Sequence, residues 1–257
     1  MSASPSEAVP SLLPELRVVV LGDVHGAFRA AIADVKAAQR DLGTADIVLC
    51  VGDVEANRNA RDAAGVATGR GHKRWVGEFP QVLDGRLEFP APFMFIGGEH
   101  EPWQALDVRG PGELARNVSF LGRAGVKEIG GLRVGFLSGV YGEISHRDLG
   151  DRWGRDERCC YVEAELIALR RGAKRKGKVD VLLTHDWPSG LLGDLGDDQI
   201  RDLTHTLAPQ LHVCGHHHLR VSGVSNGVPV EALAEVGTAG SWIGLVRGTD
   251  GVLRRVA

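Results

Sequence analysis

The stretch R-V-V-V-L-G-D-V-H-G, residues 17–26, sets the reading of the whole chain. Its first half is a β-branched apolar run closed by Gly22, the pattern of a strand buried on both faces. Its second half places Asp23 and His25 just past that strand's carboxyl end, where open α/β sheets build their ligand sites. Residues 28–42 follow with apolar side chains at helical spacing and Gly43 as a stop. D-I-V-L-C-V-G, residues 46–52, is a second buried strand, and Asp53 comes next. Strand, helix and strand in this order predict a right-handed βαβ unit with neighbouring parallel strands.

The same arrangement recurs along the chain. G-D-V-E at residues 52–55, G-G-E-H-E at 97–101, T-H-D-W-P at 184–188 and C-G-H-H-H at 214–218 each follow an apolar strand. Further strands are expected at 118–121, 132–137, 220–224, 242–246 and 252–256, with a helix over 161–171. The C-terminal third is strand-rich with short turns, which suggests a second sheet packed on the first. Residues 1–14 read as a flexible leader and 15–257 as a single domain. Within that domain, residues 56–92 are too long for an ordinary connection and read as a lid insertion.

Bulk properties exclude more than they assign. The length of 257 residues suits one α/β domain with a sizeable core, and a net charge of −3 names no nucleic-acid or membrane partner. No basic, then apolar, N-terminal segment marks secretion, and no apolar run is long enough to span a bilayer. Cys50, Cys159, Cys160 and Cys214 form no C-x-x-C pair. A reduced cytoplasmic chain without a membrane partner is the simplest expectation; no protein partner is inferable.

The clustered residue types point to metal chemistry. Imidazole and carboxylate together suit Mn, Fe, Zn, Ni or Co rather than Ca or Mg. No cysteine lies among the candidates, which argues against a closed structural zinc site. Eight candidate ligands exceed the needs of one tetrahedral ion and fit two ions about 3.5–4 Å apart. Taken singly, each cluster is ordinary: an Asp-x-His after a strand is most often a turn or a cap. Their shared placement at five strand ends carries the argument.

These clusters resemble the signature of the calcineurin-like metallophosphoesterases: D-x-H, G-D, G-N-H-[DE], a later histidine and G-H-x-H. Within that superfamily the chain looks most like the RNA lariat debranching enzymes, through V-G-D-V-E-A-N-R-N at 51–59, F-I-G-G-E-H-E at 95–101, F-L-G-R-A-G-V at 120–126, L-S-G-V-Y at 137–141 and L-T-H-D-W-P at 183–188. The resemblance implies a four-layer α/β/β/α sandwich of two packed mixed sheets flanked by helices. It implies a phosphoesterase, most simply a phosphodiesterase of RNA or nucleotide-like substrates, using a hydroxide between two divalent transition metal ions, manganese first among them. Asp23, His25 and His218 would hold one metal, His185 and His216 the other, and Asp53 would bridge. His100 would protonate the leaving oxygen, with Glu101 orienting it. His217 is the variable position and is expected not to ligate. Glu99 stands where the family keeps Asn; as a ligand it would tighten metal binding and weaken the ion's Lewis acidity. Asp23 keeps the ordinary superfamily ligand, where many debranching enzymes carry cysteine.

Substrate contacts are sought in two places. Arg58, Arg61, Arg70, Lys73 and Arg74 follow Asp53 and are candidates for clamping phosphate oxygens, Arg58 foremost. Trp75, Trp103 and Trp187 are candidate base-stacking aromatics, with Trp187 preferred for its closeness to His185. A denser basic run, Arg170 to Lys178, is adequately explained by a helix C-terminus, with a nucleic-acid strip as the sharper alternative. The alternatives are a phosphomonoesterase, a cyclic-nucleotide phosphodiesterase, or a non-catalytic scaffold on the same fold.

Overall fold

The structure is a computed structural model and describes residues 14–67, 74–146 and 155–256. Arg70, Lys73 and nearly all of the expected leader lie outside these residues. The strands in chain order are β1 (Leu16–Leu21), β2 (Ile47–Cys50), β3 (Phe93–Phe95), β4 (Gly112–Ala115), β5 (Val118–Phe120), β6 (Ala124–Ile129), β7 (Leu132–Leu137), β8 (Val181–Thr184), β9 (Leu211–Cys214), β10 (Val221–Ser225), β11 (Val228–Ala232), β12 (Trp242–Arg247) and β13 (Leu253–Arg255). The helices are α1 (Phe28–Leu42), α2 (Ala60–Ala64), α3 (Phe79–Leu83), α4 (Trp103–Arg109), α5 (Arg155–Arg158), α6 (Glu163–Lys176) and α7 (Asp198–Leu207).

Two mixed sheets result. One has the order β13-β12-β1-β2-β3-β5-β4, the other β10-β11-β9-β8-β7-β6. In the first, β1, β2, β3 and β5 run parallel. In the second, β7, β8, β9 and β11 do.

The alternation of side chains along β1 explains the layers. Val18 and Val20 face the second sheet and join Val134, Leu183 and Val213 in a core between the sheets. Val19 and Leu21 face the other way, onto Phe28, Ile32 and Val35 of α1. On the far side, Leu137 and Leu182 meet Leu166 and Leu169 of α6 and Ile200 and Leu203 of α7. Strands buried on both faces therefore read as continuous apolar runs, and the architecture is the expected α/β/β/α sandwich.

Two details differ from the sequence reading. The second sheet does not belong to the C-terminal third; it begins at Ala124 in mid-chain. β12 and β13 instead return to the first sheet, with β12 antiparallel to β1. Helix α7, unassigned in the sequence reading, carries its apolar residues Ile200, Leu203 and Leu207 at helical spacing after the Asp197 N-cap. In the 56–92 segment, Ala63, Val66, Phe79, Val82 and Phe89 are buried against the core.

Candidate metal centre

Five strand ends deliver the clusters to one edge of the sandwich, and their loops are stitched to each other rather than to themselves. The Asp53 carbonyl accepts from the amides of Val24 and His25, at 3.0 and 2.7 Å, joining the loops after β1 and β2. Asp53 Oδ1 accepts from the His100 amide at 2.7 Å, adding the loop after β3. Asp23 accepts from the His216 amide, 3.0 Å to Oδ2, adding the loop after β9. His185 Nδ1 donates to the Val51 carbonyl at 2.9 Å, adding the loop after β8. Each carboxylate is thus aimed by the backbone of another candidate site residue.

The turns that make this possible are tight. His25, Asp53, His216 and His218 all adopt left-handed backbone conformations, with φ of 46°, 47°, 73° and 53°. Gly98 and Gly215 leave room where no side chain fits. A Cβ on Gly98 would lie 2.2 Å from Asp53 Oδ1, and one on Gly215 would lie 2.2 Å from Asp23 Oδ1.

Donor atoms converge in overlapping groups: Asp23 with His25 and His218, Asp23 with Asp53 and His185, and Asp53 with Glu99 and His100. His25 Nε2 lies 2.9 Å from His218 Nε2, and His218 Nε2 lies 3.1 Å from Asp23 Oδ2. His185 Nε2 lies 3.4 Å from Asp53 Oδ1. His216 Nδ1 lies 3.5 Å from Glu99 Oε1, and His100 Nε2 lies 3.4 Å from the same oxygen. Because Nδ1 of His185 donates to a carbonyl, its Nε2 is the donor left for a cation. His185 Nε2 and His216 Nδ1 are both buried with no hydrogen-bond partner among the described residues. Such orphaned atoms, in a set of imidazoles and carboxylates, fit divalent transition metals.

The family model described as "Calcineurin-like phosphoesterase" matches residues 16–220, the span that carries every ligand group above.

The chain belongs to the calcineurin-like phosphoesterase family.

Among curated relatives of this phosphoesterase, the lariat debranching enzyme of Arabidopsis thaliana is 30% identical over 194 residues, covering 72% of this chain and 45% of the relative. That of Homo sapiens is 30% identical over 186 residues, covering 68% and 33%. The chain therefore spans less than half the length of these relatives. Among solved structures, TT1561 of Thermus thermophilus superposes with a TM-score of 0.58 at 13% identity, covering 94% of this chain and 98% of that one. That likeness concerns the fold.

Electrostatics in the phosphoesterase site follow from carboxylates crowded out of water. Burial favours neutral imidazoles, but Glu55, Asp53 and Asp23 outweigh it and hold His25 up at about 9. Burial is likewise overcome at His185 by Asp53 and Asp23, which raise it to about 10. The same partners reciprocate: burial opposes the charged form of Asp53, yet His185, His25 and His100 hold it well below the usual carboxylate range. Burial, and then Asp53, pushes Glu101 up to about 8. In the absence of a cation, protons supply the positive charge that this group of acids draws in.

His100 is buried, and its Nδ1 donates to the Ala67 carbonyl at 2.7 Å, which turns Nε2 toward Asp53 and Glu99. The Glu101 carboxylate, expected to orient His100, accepts from the amides of Val54 and Glu55, at 2.7 and 3.0 Å, and so fixes the loop after β2. Glu55, given no role from the sequence, lies 3.0 Å from His25 Nδ1 and orients that ring. The G-D-V-E spelling was the available signal.

The substrate contacts expected from sequence fare differently. Arg58 is clamped by Asp62, with Nε donating to Oδ2 at 2.6 Å and Nη2 to Oδ1 at 2.9 Å. It lines a cleft with Arg61, Arg109 and Pro102, two residues past His100. Trp187 is fully buried, and its Nε1 donates to the Gly215 carbonyl. Packed edge-on against His217, it has no face for a base, which corrects the preference for it. Trp103 is buried as well. His217 joins Asp186 and His216 in a further group of donor atoms.

Proposed function

We propose that the chain is a dinuclear metal-dependent phosphodiesterase acting on RNA or nucleotide-like substrates, with a branched 2′-5′ phosphodiester as the first candidate. The observation that carries this reading is the position of His100 Nε2 beside Glu99 and beside Asp53, the acid shared between two neighbouring donor groups. Asp23, His25, Asp53 and His218 would hold one divalent cation; Asp53, Glu99, His185 and His216 would hold the other. Cations bound there would supply Lewis acidity toward the phosphoryl oxygens and an acidified water.

The chain's own residues do the rest. Asp53, aimed by the His100 amide, ties the position of the acid to the position of the shared carboxylate. His100 holds a proton on Nε2 and passes it to the departing alkoxide, while its Nδ1–H stays fixed on the Ala67 carbonyl. Glu101 holds the Asp53 loop in place, and Glu55 holds the His25 ring. The similarity to lariat debranching enzymes supports a diester of RNA as substrate. Mn²⁺ is the ion to supply first, and a reducing cytoplasmic setting agrees with four buried thiols.

The test is a turnover screen with Mn²⁺ that compares a 2′-5′ dinucleotide, its 3′-5′ isomer and a nucleoside monophosphate. Preference for the 2′-5′ diester is expected. A monoester cleaved faster than either diester would overturn the reading.

A further inference from the structure

Of the aromatics named above, the one the sequence ranked lower is the one the structure presents. Trp75 is 46% exposed, and it sits against the loop that carries His25. An exposed indole usually samples several rotamers; this one is held at two points, and its backbone at a third. Its Nε1 donates to the carbonyl of His25 at 3.1 Å. Its own carbonyl accepts from Nδ2 of Asn57, a fully buried side chain, at 3.1 Å. Its six-membered ring rests on Gly26, where a Cβ would come within 3.3 Å of Cζ2.

The glycines make the seat. Gly26 and Gly77 have φ of 73° and 69°, and a Cβ on Gly77 would lie 2.9 Å from the Gly26 Cα. No side chain fits between the two loops, so the ring lies directly on backbone next to a candidate metal ligand. These three anchors, the Gly26 floor among them, are more than a surface tryptophan needs for stability alone, since part of its apolar face stays in water.

We propose that Trp75 is a stacking platform for a nucleobase attached to the scissile phosphodiester. The ligand is a planar purine or pyrimidine, held by its face and not by its edge, so the platform selects for nucleic-acid diesters over simple alkyl ones without reading a particular base. An immobilised ring loses little freedom on binding, which favours it over a mobile one. This inference rests on the diesterase reading of the same site and adds the residue that recognises the nucleoside.

The experiment uses the whole chain with Mn²⁺ and the variants Trp75→Phe and Trp75→Ala. Substrates are adenylyl-(2′→5′)-adenosine and its two analogues lacking one base. The binding probe is the phosphorothioate form of the dinucleotide, followed by intrinsic tryptophan fluorescence, with Mn²⁺ affinity measured separately. Expected for Trp75→Ala is a loss of kcat/KM on the full dinucleotide of roughly 5- to 150-fold, the range seen for stacked bases. One abasic analogue should be nearly indifferent to the substitution. The phosphorothioate should quench wild-type fluorescence, and Trp75→Phe should lose that quench yet keep Mn²⁺ affinity and much of the turnover. Equal losses on all three substrates, an unchanged dinucleotide rate in Trp75→Ala, or weakened Mn²⁺ binding in Trp75→Phe would each overturn the platform. Quenching without hydrolysis would overturn the diesterase reading and leave the platform standing; hydrolysis without quenching would do the reverse.

Discussion

The Nε2 atoms of His25 and His218 lie 2.9 Å apart, although 193 residues separate them in the sequence. Two imidazole nitrogens at that distance share one proton or one cation. Asp23 Oδ2, 3.1 Å from His218, supplies the charge that favours either.

His218→Ala should therefore lower bound manganese from about two ions per chain to about one, measured by elemental analysis after gel filtration. Stabilisation by the metal should shrink with it; at 100 times Kd, each ion contributes about 2.7 kcal/mol. A variant that keeps both ions would remove His218 from the ligand set.

His100→Ala should keep both ions and lose roughly 10²–10⁴-fold in kcat on a nucleotide diester, because the alkoxide then leaves unprotonated. On an activated nitrophenyl ester, which needs no proton to depart, the loss should be much smaller. Comparable losses on both substrates would assign His100 to positioning instead.

Glu99→Asn returns the residue type usual at this position. Removing one negative charge beside His216 and His100 should weaken Mn²⁺ binding by about tenfold or more, as expected when ligand charge falls. At saturating metal, kcat should rise, since a less neutralised ion is the stronger Lewis acid. Calorimetry and steady-state kinetics measure the two effects independently.

Gly98→Ala tests the close approach of backbone to ligands. The new methyl would fall 2.2 Å from Asp53 Oδ1 and 2.6 Å from His185 Cε1. Mn²⁺ affinity should drop at least about tenfold while circular dichroism stays native, because the clash lies in the ligand loops and not in the core.

Acid stability depends on His212, on β9 behind the site. It is fully buried between the Thr184 and Thr204 hydroxyls, at 2.7 and 3.0 Å, and burial pushes it down to about 3 from an ordinary 6.5. Between those values the unfolded chain takes up a proton that the folded chain refuses. Stability is thus full above pH 6.5 and falls as pH drops toward 3, by up to about 1.4 kcal/mol per pH unit from this group. His212→Gln should flatten the urea midpoint against pH by about one proton; an unchanged slope would show that His212 takes up its proton while folded.

The sequence made the central strands and the ligand set legible for one reason: strands buried on both faces leave continuous apolar runs, and the residues ending them have no packing role to explain their chemistry. Residues 17–26 carried both signals at once. What stayed hidden was information held in partners. Nothing local shows that Trp242 to Arg247 pairs with β1, far earlier in the chain, as well as with β13, its neighbour in sequence. Nor does a tryptophan's position along the chain reveal its exposure: Trp187, two residues from His185, is enclosed by Gly215 and His217, while Trp75, in an ordinary polar segment, stays half exposed as it leans on Gly26.

Four of the residues gathered around the candidate ions, His25, Asp53, His216 and His218, hold left-handed backbone where glycine would sit without strain. Any procedure that ranks sequences by thermal robustness alone would replace them first and raise the melting temperature as it erased the chemistry. Laboratory evolution for heat tolerance should be run with turnover as a second filter, or these positions will drift toward glycine and asparagine.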